Sequence, residues 1–67
     1  MEMVVIKSKA ISAVGYDPTT KKMKIKFIQG KTYDFCRVPE QIFNELLSAT
    51  SKGTYYNAHI RDKYQCY

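Results

Sequence analysis

The chain has 67 residues, 45% hydrophobic and 25% charged, which makes one domain near the lower limit at which an apolar core offsets chain entropy without a metal, a disulfide or a partner. That size excludes a large buried active site, and the absence of any Pro-, Gly- or Ser-rich tract implies order nearly throughout, with only the last few residues looking loose. Eleven basic against six acidic side chains give a formal charge of +5, which fits either a solubility charge or an anionic partner such as nucleic acid, and the excess of Lys over Arg suits diffuse phosphate attraction better than bidentate base reading.

In chain order, the apolar run Met3 to Ile6 reads as an edge strand or an arm packed on a sheet, and Ser8-Lys9 breaks it. Ile11 to Asp17 reads as a strand. Asp17-Pro18-Thr19-Thr20-Lys21 is a turn, because Pro presets φ and Asp can close an Asx-type hydrogen bond. The next strand runs from Lys22 to Ile28, Gln29-Gly30-Lys31 forms a second turn, and Thr32 to Arg37 is the following strand.

Register follows from keeping the apolar side chains on one face. In the second hairpin, Phe27 opposite Tyr33 and Ile25 opposite Phe35 group four large side chains and set Lys26 against Asp34 on the other face. In the first, Tyr16 opposite Met23 and Val14 opposite Ile25 extend the same apolar face. Ile11 and Ala13 then fall out of phase, which calls for a bulge near Ser12-Ala13 or a covered second face.

Val38 precedes Pro39 and should be extended, while Pro39 suits the first turn of a helix and Glu40 favours its dipole. Ile42, Phe43, Leu46, Leu47 and Ala49 form a broad apolar arc that can cover the sheet, and Gly53 is a natural stop. Thr54 can cap a second helix in which Tyr56, Ile60 and Tyr64 recur every four residues as a core stripe. Asn57, Arg61, Tyr55 and His59 fall toward solvent. These elements define an α+β domain spanning residues 1–67, an antiparallel β-meander of three to four strands with two C-terminal helices packed on one face.

No catalytic constellation accompanies this fold. His59 is the single histidine and lacks a second ligand or a carboxylate pair, so a surface or helix-end role explains it better than metal binding or general-base work. Turns, cross-strand pairing and helix ends account for most of the carboxylates Asp17, Asp34, Glu40, Glu45 and Asp62, and the chain reads as a non-enzyme without a cofactor. Cys36 and Cys66 match no metal or redox spacing, so free thiols are the default and a bond needs the terminus to fold back over the sheet. With no secretory signal and no run of about 18 apolar residues, the chain reads as cytoplasmic, without membrane contact.

The strongest functional feature is Lys22, Lys24 and Lys26, which project from one side of a strand about 7 Å apart, a scale comparable to successive phosphates. Solvent-face lysines are also common on half-exposed sheets, where they discourage edge-to-edge association. The six tyrosines suggest base stacking, worth about 1 to 3 kcal/mol per base. Patterning nevertheless places Tyr16, Tyr33, Tyr56 and Tyr64 inward, leaving Tyr55 and Tyr67 as candidate exposed rings.

The series Val14-Gly15-Tyr16-Asp17, Met23-x-Ile25-x-Phe27-x-x-Gly30-x-x-Tyr33-x-Phe35-x-x-Val38-Pro39 and Ser51-x-Gly53-x-Tyr55-Tyr56-Asn57-x-x-Ile60 resembles the KTSC domain. That family takes its name from the C-terminus of some lysyl-tRNA synthetases and also occurs as small stand-alone bacterial or phage proteins. The resemblance implies a suggested RNA-binding role and brings no established catalytic residues. The family's usual Tyr-x-Tyr is here Tyr33-Asp34-Phe35, which keeps both rings and loses one hydroxyl.

The reading that follows is a small non-catalytic module for RNA, transfer or single-stranded, with low sequence selectivity. Its backbone contacts would come from Lys22, Lys24, Lys26, Lys31 and Arg37 together with Lys52, Arg61 and Lys63, while Tyr55 and Asn57 offer a ring and an amide. The alternative is a protein-interaction or homo-oligomerisation module using the apolar N-terminal arm or an exposed strand edge.

Overall fold

The computed structural model describes residues 1–66 and contains, in order, β1 (Met3–Val5), β2 (Ile11–Asp17), β3 (Lys22–Phe27), β4 (Thr32–Phe35), α1 (Glu40–Ser48) and α2 (Lys52–His59). The strands form one antiparallel sheet in the order β1-β2-β3-β4. One face of it is closed by the helices around Ile11, Val14, Met23, Ile25, Phe35, Val38, Leu46 and Ile60. The expected α+β meander is therefore present, and the N-terminal run is its fourth strand.

The first hairpin has the expected register, with Val14 opposite Ile25 and Tyr16 opposite Met23. Its turn closes as an Asx turn: the Thr19 amide donates to Asp17 Oδ1 at 2.9 Å. The Thr19 amide first, and hydrogen bonds from Thr20 after it, hold the Asp17 carboxyl below the ordinary Asp range. The register shifts between Ile11 and Ala13, so Ser12 is the extra residue of a bulge. That residue restores Ile11 to the core face, where it is fully buried.

The second hairpin differs from expectation by two residues. Ile25 lies opposite Tyr33, Met23 opposite Phe35 and Lys24 opposite Asp34. The turn decides this. Gly30 donates to the Phe27 carbonyl at 2.9 Å and Phe27 to the Lys31 carbonyl at 2.8 Å, closing a three-residue loop over 28–30 in which Gly30 has φ +103°. Such a loop favours glycine at its left-handed position. A two-residue slip preserves which side chains share a face, so the apolar pattern alone could not distinguish the registers.

Val38 is fully buried beside Tyr16, whose hydroxyl donates to the Val38 carbonyl at 2.6 Å while its ring stacks on Phe43 at 5.1 Å. α1 begins directly after Pro39 and buries Leu46. For α2 the cap is Ser51 and not Thr54: the Thr54 amide donates to Ser51 Oγ at 3.4 Å and the two hydroxyls lie 2.9 Å apart. Gly53 therefore sits inside the first turn instead of ending a helix. A Cβ there would lie 3.0 Å from Ala10 Cβ, so the small residue lets α2 approach the β1–β2 connection.

α2 ends at His59, so Tyr64 is not helical as expected. Asp62, at φ +62°, turns the chain back to the sheet, where Cys36 donates to the Tyr64 carbonyl at 2.9 Å and Phe35 bridges Gln65. This return joins Cys36 to Cys66 in a disulfide with a Cα separation of 5.1 Å, in place of the free thiols read from spacing. Residues 64 to 66 are thus tied to β4 rather than loose.

Candidate nucleic-acid interface

The sheet face away from the helices carries Lys22, Lys24 and Lys26 on β3, Asp34 on β4, and Ala13, Gly15 and Asp17 on β2. Lys22 and Lys26 are exposed. Lys24 is half-buried and pairs with Asp34 at 3.6 Å, a correction to the Lys26–Asp34 pairing that follows from the hairpin register. Two ammonium groups on this face thus remain in water, flanking one exposed ion pair that contributes little to stability. Met1 and Met3 cover part of the same face by lying over Gly15.

Across the β4 edge lies a groove of about 470 Å³ that includes Tyr33, Asp34, Tyr56, Arg61, Asp62 and Gln65. Tyr33, expected inside, is 45% exposed. Its place on the outer strand leaves nothing beyond it to bury its outer side, while Phe27 meets it edge-on at 5.5 Å. Phe27 also meets Tyr56 edge-on at 5.0 Å, and Phe35 meets Tyr56 at 6.0 Å. Phe35, the ring without the family's second hydroxyl, is buried. Burial also raises the Tyr56 hydroxyl above its ordinary pKa. Arg61 is exposed at the mouth with Nε 3.9 Å from Asp62 Oδ2.

This groove combines an exposed ring, a guanidinium and amide and carboxylate groups. Asp34 and Asp62 disfavour a phosphate there but can accept from the exocyclic amino groups of a base. Asp34 and Cys66 line both this groove and a cleft of about 310 Å³ on the lysine face, so the two surfaces meet along the β4 edge.

The remaining candidates are dispersed. Lys31 is exposed beyond the second hairpin loop, and Arg37, at φ +57°, is exposed after β4. Asn57 lies on the open side of α2, with Lys63 exposed beyond its end. Lys52 is half-buried and donates to the Ala49 carbonyl at 2.8 Å, so it closes the end of α1. Tyr55 is not a free ring: its hydroxyl donates to Glu45 at 2.6 Å and it leans on His59 with ring centroids 4.5 Å apart. Tyr67 lies outside the described residues. Sequence reasoning passed over Lys7 and Lys9, which line a cleft of about 300 Å³ with Lys52. Only tertiary structure joins the β1–β2 connection to the start of α2.

Among the described residues, no group of three or more His, Cys, Asp or Glu side chains is placed to hold a metal ion, and no helix is long and apolar enough to cross a membrane.

A four-stranded meander, two helices on one face and a returning C-terminal segment define a small α+β domain of one class. The chain belongs to the KTSC domain family, whose sequence profile matches residues 7–64. A crystal structure of a KTSC domain protein from Yersinia pestis superposes with a TM-score of 0.93 at 32% identity, covering 98% of this chain and 93% of that one. A protein of Tsukamurella paurometabola is 35% identical over 60 residues, 90% of each chain. A lysine–tRNA ligase of Nostoc is 34% identical over 55 residues, covering 82% of this chain and 10% of the ligase. The domain is therefore similar both to a small protein of nearly its own length and to a short segment of a much larger enzyme.

Proposed function

We propose that this domain is a non-catalytic nucleic-acid-binding module that carries a single strand of RNA along the open sheet face and places an unstacked base in the Tyr33–Arg61 groove. The observation that carries the reading is the exposure of Lys22 and Lys26 on one face of β3, with Lys24 between them half-exposed and opposed by Asp34 alone in an ion pair. Alternate strand residues stand about 7 Å apart, a spacing that lets successive ammonium groups follow a phosphate backbone. The groove on the other side of the β4 edge supplies the aromatic and guanidinium surface on which single-stranded bases stack. Similarity to a segment of lysine–tRNA ligases, enzymes named for transfer RNA, supports RNA over DNA. The chain's cytoplasmic placement follows from this partner and is part of the proposal.

Electrophoretic mobility shift with total cellular RNA across a salt series tests it. With three lysines engaged, affinity for a single strand should fall about 20-fold between about 50 and about 200 mM salt. Replacing Lys22, Lys24 and Lys26 together with Ala should weaken binding at least about tenfold while the domain stays folded. Absence of binding at low salt, or equal binding by the triple variant, would overturn the reading.

A further inference from the structure

The two edges of the sheet are not equivalent. At β4, residues 64 to 66 and the Cys36–Cys66 disulfide cover one end of the edge, and Lys31 and Asp34 bring charge to the rest. At β1 the edge is Met3, Val4 and Val5, with neither charge nor proline nor bulge, and these residues are 38%, 46% and 82% exposed. Exposed apolar edges without such devices are templates for another strand.

We propose that β1 pairs with β1 of a second copy of this chain, about a two-fold axis at Val4, to make one continuous eight-stranded antiparallel sheet. The backbone phase supports this register. Ile6 donates to the Ser12 carbonyl at 2.9 Å, and Val4 lies opposite Val14. By the alternation of an antiparallel ladder, the amides and carbonyls of Ile6 and Val4 face β2, while those of Met3 and Val5 face outward.

Two copies related at Val4 set each Met3 opposite the partner subunit's Val5. Both members of each such pair present outward groups, so four N–H to carbonyl bonds form with no change inside either monomer. On the helix side of the sheet the two Val4 side chains meet as a close non-hydrogen-bonded pair. On the opposite side Met3 and Val5 of both copies form one apolar strip. The same patch serves both subunits, as a two-fold interface requires.

A three-residue strand buries well under the roughly 800 Å² per partner of a standard interface, so the dimer should be reversible and concentration-dependent. This inference is independent of nucleic-acid binding and is tested without RNA, by sedimentation equilibrium over a wide concentration series. Wild-type protein should rise from the monomer mass toward twice that value. Val5→Pro, which removes an outward amide not used within the chain, and Val5→Lys, at a largely exposed side chain, should both remain monomeric with thermal unfolding close to wild type. Amide exchange supplies a readout that needs no variant: the Met3 and Val5 amides should gain protection as concentration rises, while the Val4 amide is protected throughout. A mass independent of concentration, a dimer that survives Val5→Pro or Val5→Lys, or unchanged exchange at Met3 and Val5 would overturn the proposal. Pairing only with a foreign chain would do so as well.

Discussion

The Tyr55 hydroxyl on α2 donates to Glu45 Oε1 on α1 at 2.6 Å, joining two helices at positions ten residues apart. Each group changes the other's titration. The Tyr55 phenol is pushed up to about 12, first by desolvation and then by the Glu45 carboxylate. Hydrogen bonds from Tyr55 and then Gln41 hold the Glu45 carboxyl below its ordinary range.

The signs of these shifts set the pH dependence. Tyr55 is held neutral in the folded protein, so its contribution is complete below the unfolded phenol's pKa near 10 and is lost as pH rises toward about 12. Glu45 contributes above the ordinary carboxyl pKa and loses that contribution as pH falls through its lowered value. Tyr55→Phe should flatten the alkaline loss of melting temperature and raise the Glu45 pKa. Thermal scans and carboxyl NMR titrations read the two effects.

Gly15 faces the N-terminal segment. A Cβ on it would lie 2.7 Å from Met3 Sδ and 2.8 Å from the Glu2 carbonyl oxygen. The thioether can move, but the carbonyl belongs to the backbone, so Gly15→Ala must shift Met1 to Met3. Urea denaturation should show a loss of about 1 to 3 kcal/mol, the range for overpacking, and Gly15→Val should lose more.

The Cys36–Cys66 bond spans a sequence separation of 30, and loop-closure entropy for that length corresponds to about 3 to 4 kcal/mol. Reduction, or Cys36→Ser, should lower the unfolding free energy extrapolated from urea denaturation by that order while preserving the four-stranded sheet, because the bond anchors only the returning terminus. Thiol titration of unreduced protein should find neither cysteine. In a reducing cytoplasm the reduced form would be the working one.

Under the nucleic-acid reading, Tyr33 is the stacking ring. Tyr33→Ala should weaken single-stranded RNA binding by about 1 to 3 kcal/mol, while Tyr33→Phe retains most of the affinity. Because phosphates are still held by the lysines, the salt slope should remain near wild type for both variants. Fluorescence titration at several salt concentrations checks affinity and slope together.

Much of this architecture is legible in short stretches of sequence. The alternation from Met23 to Ile25 and Phe27 marks a strand and its buried face. Asp17-Pro18 marks a turn, and the phase conflict at Ile11 and Ala13 left a bulge near Ser12-Ala13 or a covered second face, of which the register shift shows the bulge. Val38-Pro39 and the apolar arc through Leu46 mark the entry and packing face of α1. The helix cap was less legible because Ser51 and Thr54 are both competent cap residues, and the placement of Gly53 against Ala10 favours the earlier start. Of the candidate site, the lysine stripe was visible from its period. The Tyr33–Arg61 groove was not, since its residues come from β4, from α2 and from the segment that follows α2.

Sequence by itself determined which side chains share a face, because strand and helix periods are properties of the local backbone. The closure of the turn at Gly30 decided the second hairpin's register, and tertiary structure decided the return of Cys66 to Cys36 and the exposure of Tyr33. Those outcomes depend on how a three-residue loop closes and on which surfaces distant segments cover. Periodicity is blind to an even-numbered strand slip and to a sheet's outer edge, so no count of apolar residues could have supplied them.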